Sequence, residues 1–235
     1  MQRLDKSLSE AGVASRKELR AMIRAGRVTV NGAVVRDPEA RVSETDELAA
    51  DGEKVRRGTV VLMLNKPAGY VTATEDPKER TVMELLPEAY RRLGVVPVGR
   101  LDKETEGLLL FTNDGALAHR LISPRHEVRK VYEAEHEGEA GEADVAAFQA
   151  GLTLRDGTVC RPAALEPLGP GRSRVTLSEG KYHQVRRMLA SCGLPVTGLR
   201  RVAEGGLVLG DLPLGGWREL CPAEIIGLET VQNRQ

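Results

Sequence analysis

A chain of 235 residues, 41% hydrophobic and 29% charged, has the composition of one large or two modest globular domains with cores of their own. Its three cysteines (Cys160, Cys192, Cys221) are odd in number and far apart, which excludes a disulfide framework. The four histidines (His119, His126, His136, His183) lack ligand spacing, so no structural metal is expected. Net charge is zero but segregated. Residues 1–36 carry eight Lys/Arg and three Asp/Glu, and residues 37–55 carry two and seven. Residues 131–150 carry none and six, and residues 172–201 seven and one. Such segregation can build two basic faces for a nucleic acid, and it is equally common on ordinary surfaces. The amino terminus has no apolar signal core, and no apolar run nears the ~18 residues of a membrane span, so a cytoplasmic protein is expected.

Leu4, Leu8 and Ala11 share one face at helical spacing. Ser15 opens a second helix with Glu18 three residues on, the capping-box pattern, and Gly26 stops it. Leu19, Met22 and Ile23 form its apolar stripe. Arg16, Lys17, Arg20 and Arg24, with Arg27 just beyond, form either a solvated face or a surface that tracks phosphates. Residues 28–30, an Asn31-Gly32 turn and residues 34–35 read as a hairpin. Residues 1–55 are thus expected to form a small domain, residues 56–59 a polar linker that lets it move, and residues 60–235 a second domain. There, residues 60–64, 108–111, 128–135 and 174–177 read as strands. Residues 115–121, 142–150 and 184–191 read as helices, and residues 208–220 as short strands with glycine turns. Strands and helices do not alternate regularly, so the expected class is α+β with a mixed, mainly antiparallel sheet.

The sequence contains no GxGxxG after a strand, no GxxxxGK[ST], no HExxH and no GxSxG. An enzyme here works with carboxylates, tyrosines and basic residues. The densest candidate is Gly99-Arg-Leu-Asp-Lys-Glu-Thr-Glu-Gly-Leu-Leu-Leu-Phe-Thr-Asn-Asp-Gly115, a polar loop, an apolar strand and a helix cap at Asp114. By itself an Arg-x-Asp is more often a structural pair than a catalyst.

This stretch resembles the GRLDxxTxGLLLxTNDG signature of the RsuA-type branch of the pseudouridine synthases. Residues 64–70 (Leu-Asn-Lys-Pro-Ala-Gly-Tyr), Lys130-Val-Tyr132 and residues 179–188 (Glu-Gly-Lys-Tyr-His-Gln-Val-Arg-Arg-Met) resemble that branch's other motifs. Residues 1–55 resemble its RNA-binding module, shared with a small-subunit ribosomal protein. Arg129 and the Arg200-Arg201 pair depart from the pattern outside these motifs. The resemblance implies a pseudouridine-synthase-like domain preceded by a small αL-type RNA-binding domain, with a cleft fed by the 99–107 loop. The implied reaction detaches uracil, turns it and rejoins it through carbon 5, which requires no cofactor. Asp102 is then the catalytic carboxylate, Tyr132 the tyrosine that packs on the base and helps remove the carbon-5 proton, and Arg186 the arginine paired with Asp102. Lys66 falls near the site without a catalytic role. Arg100, Lys130, Lys181, His183, Gln184 and Arg187 are the implied RNA contacts, with Arg16, Lys17, Arg20, Arg24 and Arg27 in the small domain.

Residues 123–126 (Ser-Pro-Arg-His), residues 182–185 (Tyr-His-Gln-Val) and the lack of a long basic tail are closer to the small-subunit enzyme. The expected partner is therefore small-subunit ribosomal RNA, naked or within an assembly intermediate, acted on by a monomer. A large-subunit target and a non-catalytic ribosome-assembly factor are the alternatives. A magnesium nuclease would need clustered acids, and Glu104 and Glu106 occupy positions that the family leaves variable.

Overall fold

A computed structural model describes residues 1–123 and 127–230, so most of the 123–126 feature lies outside the described residues. The chain divides into two compact units, Met1–Val60 with Leu86–Val96, and Val61–Leu85 with Pro97–Gln235.

In the first unit, β1 (Gln2–Arg3) leads into α1 (Leu4–Glu10) and α2 (Arg16–Arg24). The Ser15 hydroxyl accepts from the Glu18 N–H, and the Glu18 carboxylate accepts from the Ser15 N–H, completing the capping box. β2 (Val28–Val30) and β3 (Ala33–Val34) form the hairpin. Asn31 and Gly32 both take positive φ, 51° and 79°, as a two-residue turn of this hand requires. β4 (Arg41–Val42) pairs with β1, while β5 (Leu48–Ala50) joins β2 to β6 (Glu53–Lys54). Leu4, Leu8, Leu19, Ile23, Val28, Val42 and Leu48 form the buried core. The short helix α3 (Glu88–Arg92) groups with this unit, although the sequence places it in the second domain. Gly12 permits the approach: at φ 69°, a Cβ there would lie 1.9 Å from the Arg92 carbonyl oxygen. Arg57, in the expected linker, donates to the carbonyls of Ser43, Glu44 and Asp46 and is anchored in the same unit.

The second unit contains β7 (Val61–Lys66), β8 (Val96–Val98), β9 (Glu106–Thr112), α4 (Gly115–Ile122), β10 (Lys130–His136) and α5 (Glu142–Ala150). It continues with β11 (Ala164–Gly169), β12 (Arg172–Leu177), α6 (Gln184–Ser191) and β13 (Val196–Glu204). β14 (Leu207–Val208), β15 (Trp217–Glu219) and α7 (Pro222–Thr230) follow. The sheet runs β11-β12-β10-β13-β9-β7-β15, with β14 beside β13 and β8 beside β9. Along that path every pairing is antiparallel except β13 with β9.

β7 and β9 are apolar at consecutive positions because both of their faces are buried. On one face Val61, Met63, Leu108 and Leu110 cluster with Leu117 and Leu121 of α4 and Leu228 of α7. Leu62, Leu64, Leu109 and Phe111, pointing the other way, are fully buried too. The Asp114 carboxylate caps α4, accepting from the N–H groups of Ala116 and Leu117. No helix among the described residues is long and apolar enough to cross a membrane.

Candidate active site

Strand register builds the floor of the site. Tyr132 on β10 pairs with Arg201 on β13, Arg201 with Gly107 on β9, and Gly107 with Lys66 on β7. These four residues form one row across the sheet, and the Asp102 loop joins that row at Gly107. Only glycine fits there. Its φ is 104°, and a Cβ would sit 2.2 Å from the Arg201 carbonyl oxygen.

The last residue of β7 and the chain after it grip the backbone of that loop. Lys66 is fully buried, and its ammonium lies within hydrogen-bonding distance of four carbonyls: Pro67 (3.0 Å), Asp102 (3.2 Å), Lys103 (3.0 Å) and Thr105 (2.9 Å). Burial pushes its pKa down to about 8, against the opposing pull of the Glu104, Glu106 and Asp102 carboxylates. The carbonyls are what make a buried ammonium tolerable there. Thr72 adds a second clasp, donating to the Leu101 carbonyl (2.7 Å) and accepting from the Leu101 N–H (3.2 Å). Gly69 donates its N–H to the Lys103 carbonyl (2.9 Å).

The Asp102 carboxylate emerges from this held backbone into an open cleft, which Arg100, Thr105, Tyr132, Lys181, His183 and Leu199 help to line. The carboxylate is 38% exposed, and its Oδ1 lies 3.5 Å from His183 Nε2. Tyr132 is buried in the cleft floor, and burial raises its phenol pKa despite the nearby Arg201 guanidinium, leaving the hydroxyl protonated at neutral pH.

Arg201 was unrecognised in the sequence as part of the site, because Arg200-Arg201 reads as a basic pair outside the motifs. In β13 the two side chains alternate in facing, and Arg201 is turned inward, 1% exposed. Its Nε donates to the Leu108 carbonyl (2.8 Å), and its Nη2 lies 3.1 Å from the buried Glu204 carboxylate. That contact is close enough for an ion pair but is not aligned as a hydrogen bond. Lys66 and Thr72 also carry more of the site than their residue types advertise.

Arg186 and Gln184 stand differently from expectation. Arg186 does not pair with Asp102. Lying in the first turn of α6, its guanidinium donates to the carbonyls of Glu104 (3.2 Å) and Val196 (3.3 Å), so it braces the loop backbone. The basic side chain at the Asp102 carboxylate is His183. Gln184, expected to face RNA, is 4% exposed, and its amide is occupied by the Glu179 carboxylate and the Lys181 N–H. Lys130 is half-buried and donates to the Val128 carbonyl, with its pKa lowered by burial. Lys181 donates to the Val159 carbonyl and pairs with Glu179, and Arg187 pairs with Asp156. Arg100 is exposed and makes no ion pair among the described residues.

In the first unit, Arg16 and Arg20 converge with Arg3 on the buried Asp5 carboxylate. The Arg3 guanidinium, then those of Arg20 and Arg16, hold that carboxyl well below the usual carboxylate range. Arg27 makes a two-pronged pair with Asp51. Lys17 and Arg24 are exposed without ion pairs among the described residues, so they remain the more available cations of α2. No group of three or more His, Cys, Asp or Glu is arranged to hold a metal ion among the described residues.

Residues 60–191 match a family model described as RNA pseudouridylate synthase, and residues 2–48 match the S4 domain. The chain is 39% identical over 229 residues to ribosomal small subunit pseudouridine synthase A of Escherichia coli (strain K12), covering 95% of this chain and 98% of that one. It is 40% identical over 230 residues to an uncharacterized RNA pseudouridine synthase of Bacillus subtilis (strain 168), YtzG, covering 95% and 96%. Among solved structures it is similar to a pseudouridylate synthase crystal structure, with a TM-score of 0.68 and 35% identity over 97% of this chain and 100% of that one.

Proposed function

Because this chain belongs to the RNA pseudouridylate synthase family, we propose that it isomerises one uridine of small-subunit ribosomal RNA to pseudouridine, as a cytoplasmic monomer, with Asp102 as the catalytic carboxylate. The observation that carries this reading is the geometry of Asp102: a carboxylate on a backbone fixed by Lys66, Thr72 and Arg186, facing an open cleft floored by a tyrosine. The target uridine leaves its stack to enter the cleft, at a cost of a few kcal/mol offset by contacts inside. Its base packs on the Tyr132 ring. Asp102 then attacks or electrostatically stabilises the sugar carbon as the bond to N1 breaks and the electron pair leaves with uracil. The turned base forms the new bond through carbon 5, and where Asp102 had bonded to the sugar carbon that bond breaks in the same step, returning the free carboxylate. To finish, carbon 5 loses its proton and N1 gains one. Tyr132 remains a neutral phenol, so it contributes packing and a hydrogen bond, and Asp102 is the base available for the carbon-5 proton. Lys17 and Arg24 of the S4 domain and Arg100 at the cleft contact RNA phosphates, positioning the strand without choosing its sequence.

The test is tritium release from RNA labelled at carbon 5 of uridine. Small-subunit transcripts, bare and partly assembled with ribosomal proteins, are compared with large-subunit transcripts, using the native chain and Asp102→Asn. Release of about one tritium per small-subunit RNA by the native chain alone is the expected result. Release from large-subunit RNA would move the target. No release, with RNA binding intact, would make the chain an assembly factor that keeps an enzyme's fold.

A further inference from the structure

The chain has four tyrosines, two phenylalanines and one tryptophan. Among the described residues, Tyr182 is the one aromatic side chain that stands largely in solvent, 75% exposed. Its ring stacks on His183, with centroids 3.9 Å apart and planes 17° from parallel. One face is covered and the other is open. His183 adopts φ 47° and ψ 36°, the left-handed region that residues with a Cβ rarely occupy. This turn sets the two rings face to face while His183 Nε2 stands 3.5 Å from Asp102 Oδ1. Arg187 pins it by donating to the Tyr182 carbonyl (3.2 Å). A strained turn that exposes a large ring gains nothing for the folded chain alone.

We propose that the Tyr182–His183 stack is the platform for an unpaired nucleobase adjoining the target uridine. The proposal rests on the reading that this cleft takes a uridine out of an RNA strand. When the uridine swings into the cleft, its neighbour loses a stacking partner, and the open face of Tyr182 replaces it. The platform lies on the Asp102 side of the cleft through His183, within one nucleotide's reach of the reacting sugar. Arg100, exposed and lining the same cleft as His183, is available to a phosphate of that strand. Such a surface accepts any flat base, because stacking does not read hydrogen-bonding edges.

The experiment measures equilibrium binding in the Asp102→Asn background, which allows no conversion. The probes are single-stranded oligoribonucleotides with a central uridine flanked by adenosines, and the same strands with abasic ribose at the flanking positions. Tyr182→Leu is expected to weaken binding of the base-bearing strand by about 5- to 150-fold, the range for losing one base–aromatic stack. Tyr182→Phe is expected to bind normally, and the abasic strand to bind equally to all three proteins. Thermal unfolding of Tyr182→Leu should match that of its parent, since the ring is exposed. Equal binding by Tyr182→Leu, an equal loss on the abasic strand, or no binding of the single strand by the parent would overturn the platform. Because binding is read without turnover, the two readings fail separately. A chain that stacks the flanking base but never releases tritium keeps the platform and loses the isomerase, and the converse loses only the platform.

Discussion

Replacing Lys66 by methionine isolates what the buried ammonium does. The apolar stem is kept while the charge and three N–H donors are removed. Of the four carbonyls involved, only the Thr105 oxygen lies in a fully buried bond, while those of Pro67, Asp102 and Lys103 are partly exposed and can turn to water. Leaving the Thr105 oxygen unpaired costs about 1–3 kcal/mol. In the other direction, a pKa fall from 10.5 to about 8 corresponds to about 3 kcal/mol of desolvation relieved when the charge is removed. The two effects nearly cancel, so Lys66→Met should change global stability by no more than about 2 kcal/mol. Activity should fall much further, because a reacting group displaced by ~1 Å can lose about 100-fold. Urea unfolding and single-turnover tritium release on one preparation separate the two quantities. A variant with a near-native urea midpoint that still works within about threefold of the native rate would refute the view that Lys66 fixes Asp102. The lysine also has a pH signature. Its folded pKa lies below its unfolded one, so between about pH 8 and 10.5 the unfolded chain holds more protons and stability rises with pH. Lys66→Met should lack that rise.

Gly107→Ala should cost at least about 3 kcal/mol or prevent folding, because its Cβ meets the β13 backbone and its φ disfavours any side chain; a soluble variant with an unchanged melting temperature would contradict the register. Asp5→Asn should weaken the first unit by about 1–3 kcal/mol by removing the anion on which three arginines converge. Since the Asp5 pKa is depressed by folding, its contribution is fully present above about pH 4 and is lost as pH falls through the folded value. Acid titrations of native and variant stability should therefore converge below pH ~4, and parallel curves would count against the pairing. Difference ultraviolet titration of native and Tyr132→Phe should show that the missing tyrosine ionises above the ordinary tyrosine range, and an early-titrating Tyr132 would reopen a tyrosinate base.

The sequence reveals elements where one local rule dominates. Ser15 with Glu18, Asn31-Gly32 and Asp114 each state a cap or turn through their own backbone chemistry, and each forms as read. β13 escapes because Arg200 and Arg201 interrupt its apolar pattern, and their burial depends on partners contributed by β9, β10 and Glu204. Arg186 illustrates the same limit at the site. Its position in the motif is plain, but whether its guanidinium reaches a carboxylate or a carbonyl depends on where the Glu104 backbone lies. Gly12 and α3 are separated by about eighty residues, and no periodicity links them. The lysine at the end of β7 offers a clue in hindsight: a charge closing a fully buried strand needs an acceptor cage, and the adjacent loop supplies one.

β13 lies between β9 and β10 in space yet follows both in the chain, and its contact with β9 is the sheet's one parallel pairing along the main path. During synthesis Asp102, Tyr132 and His183 have all left the ribosome before residues 196–204 emerge. Until that strand docks, nothing in the sheet joins the half carrying the loop to the half carrying the tyrosine. An unfinished chain therefore holds the chemical groups without holding them together. Closure waits on long-range pairing, which is intrinsically slow. Assembly of the cleft is in this way tied to the arrival of residues 196–204, a dependence written into strand order.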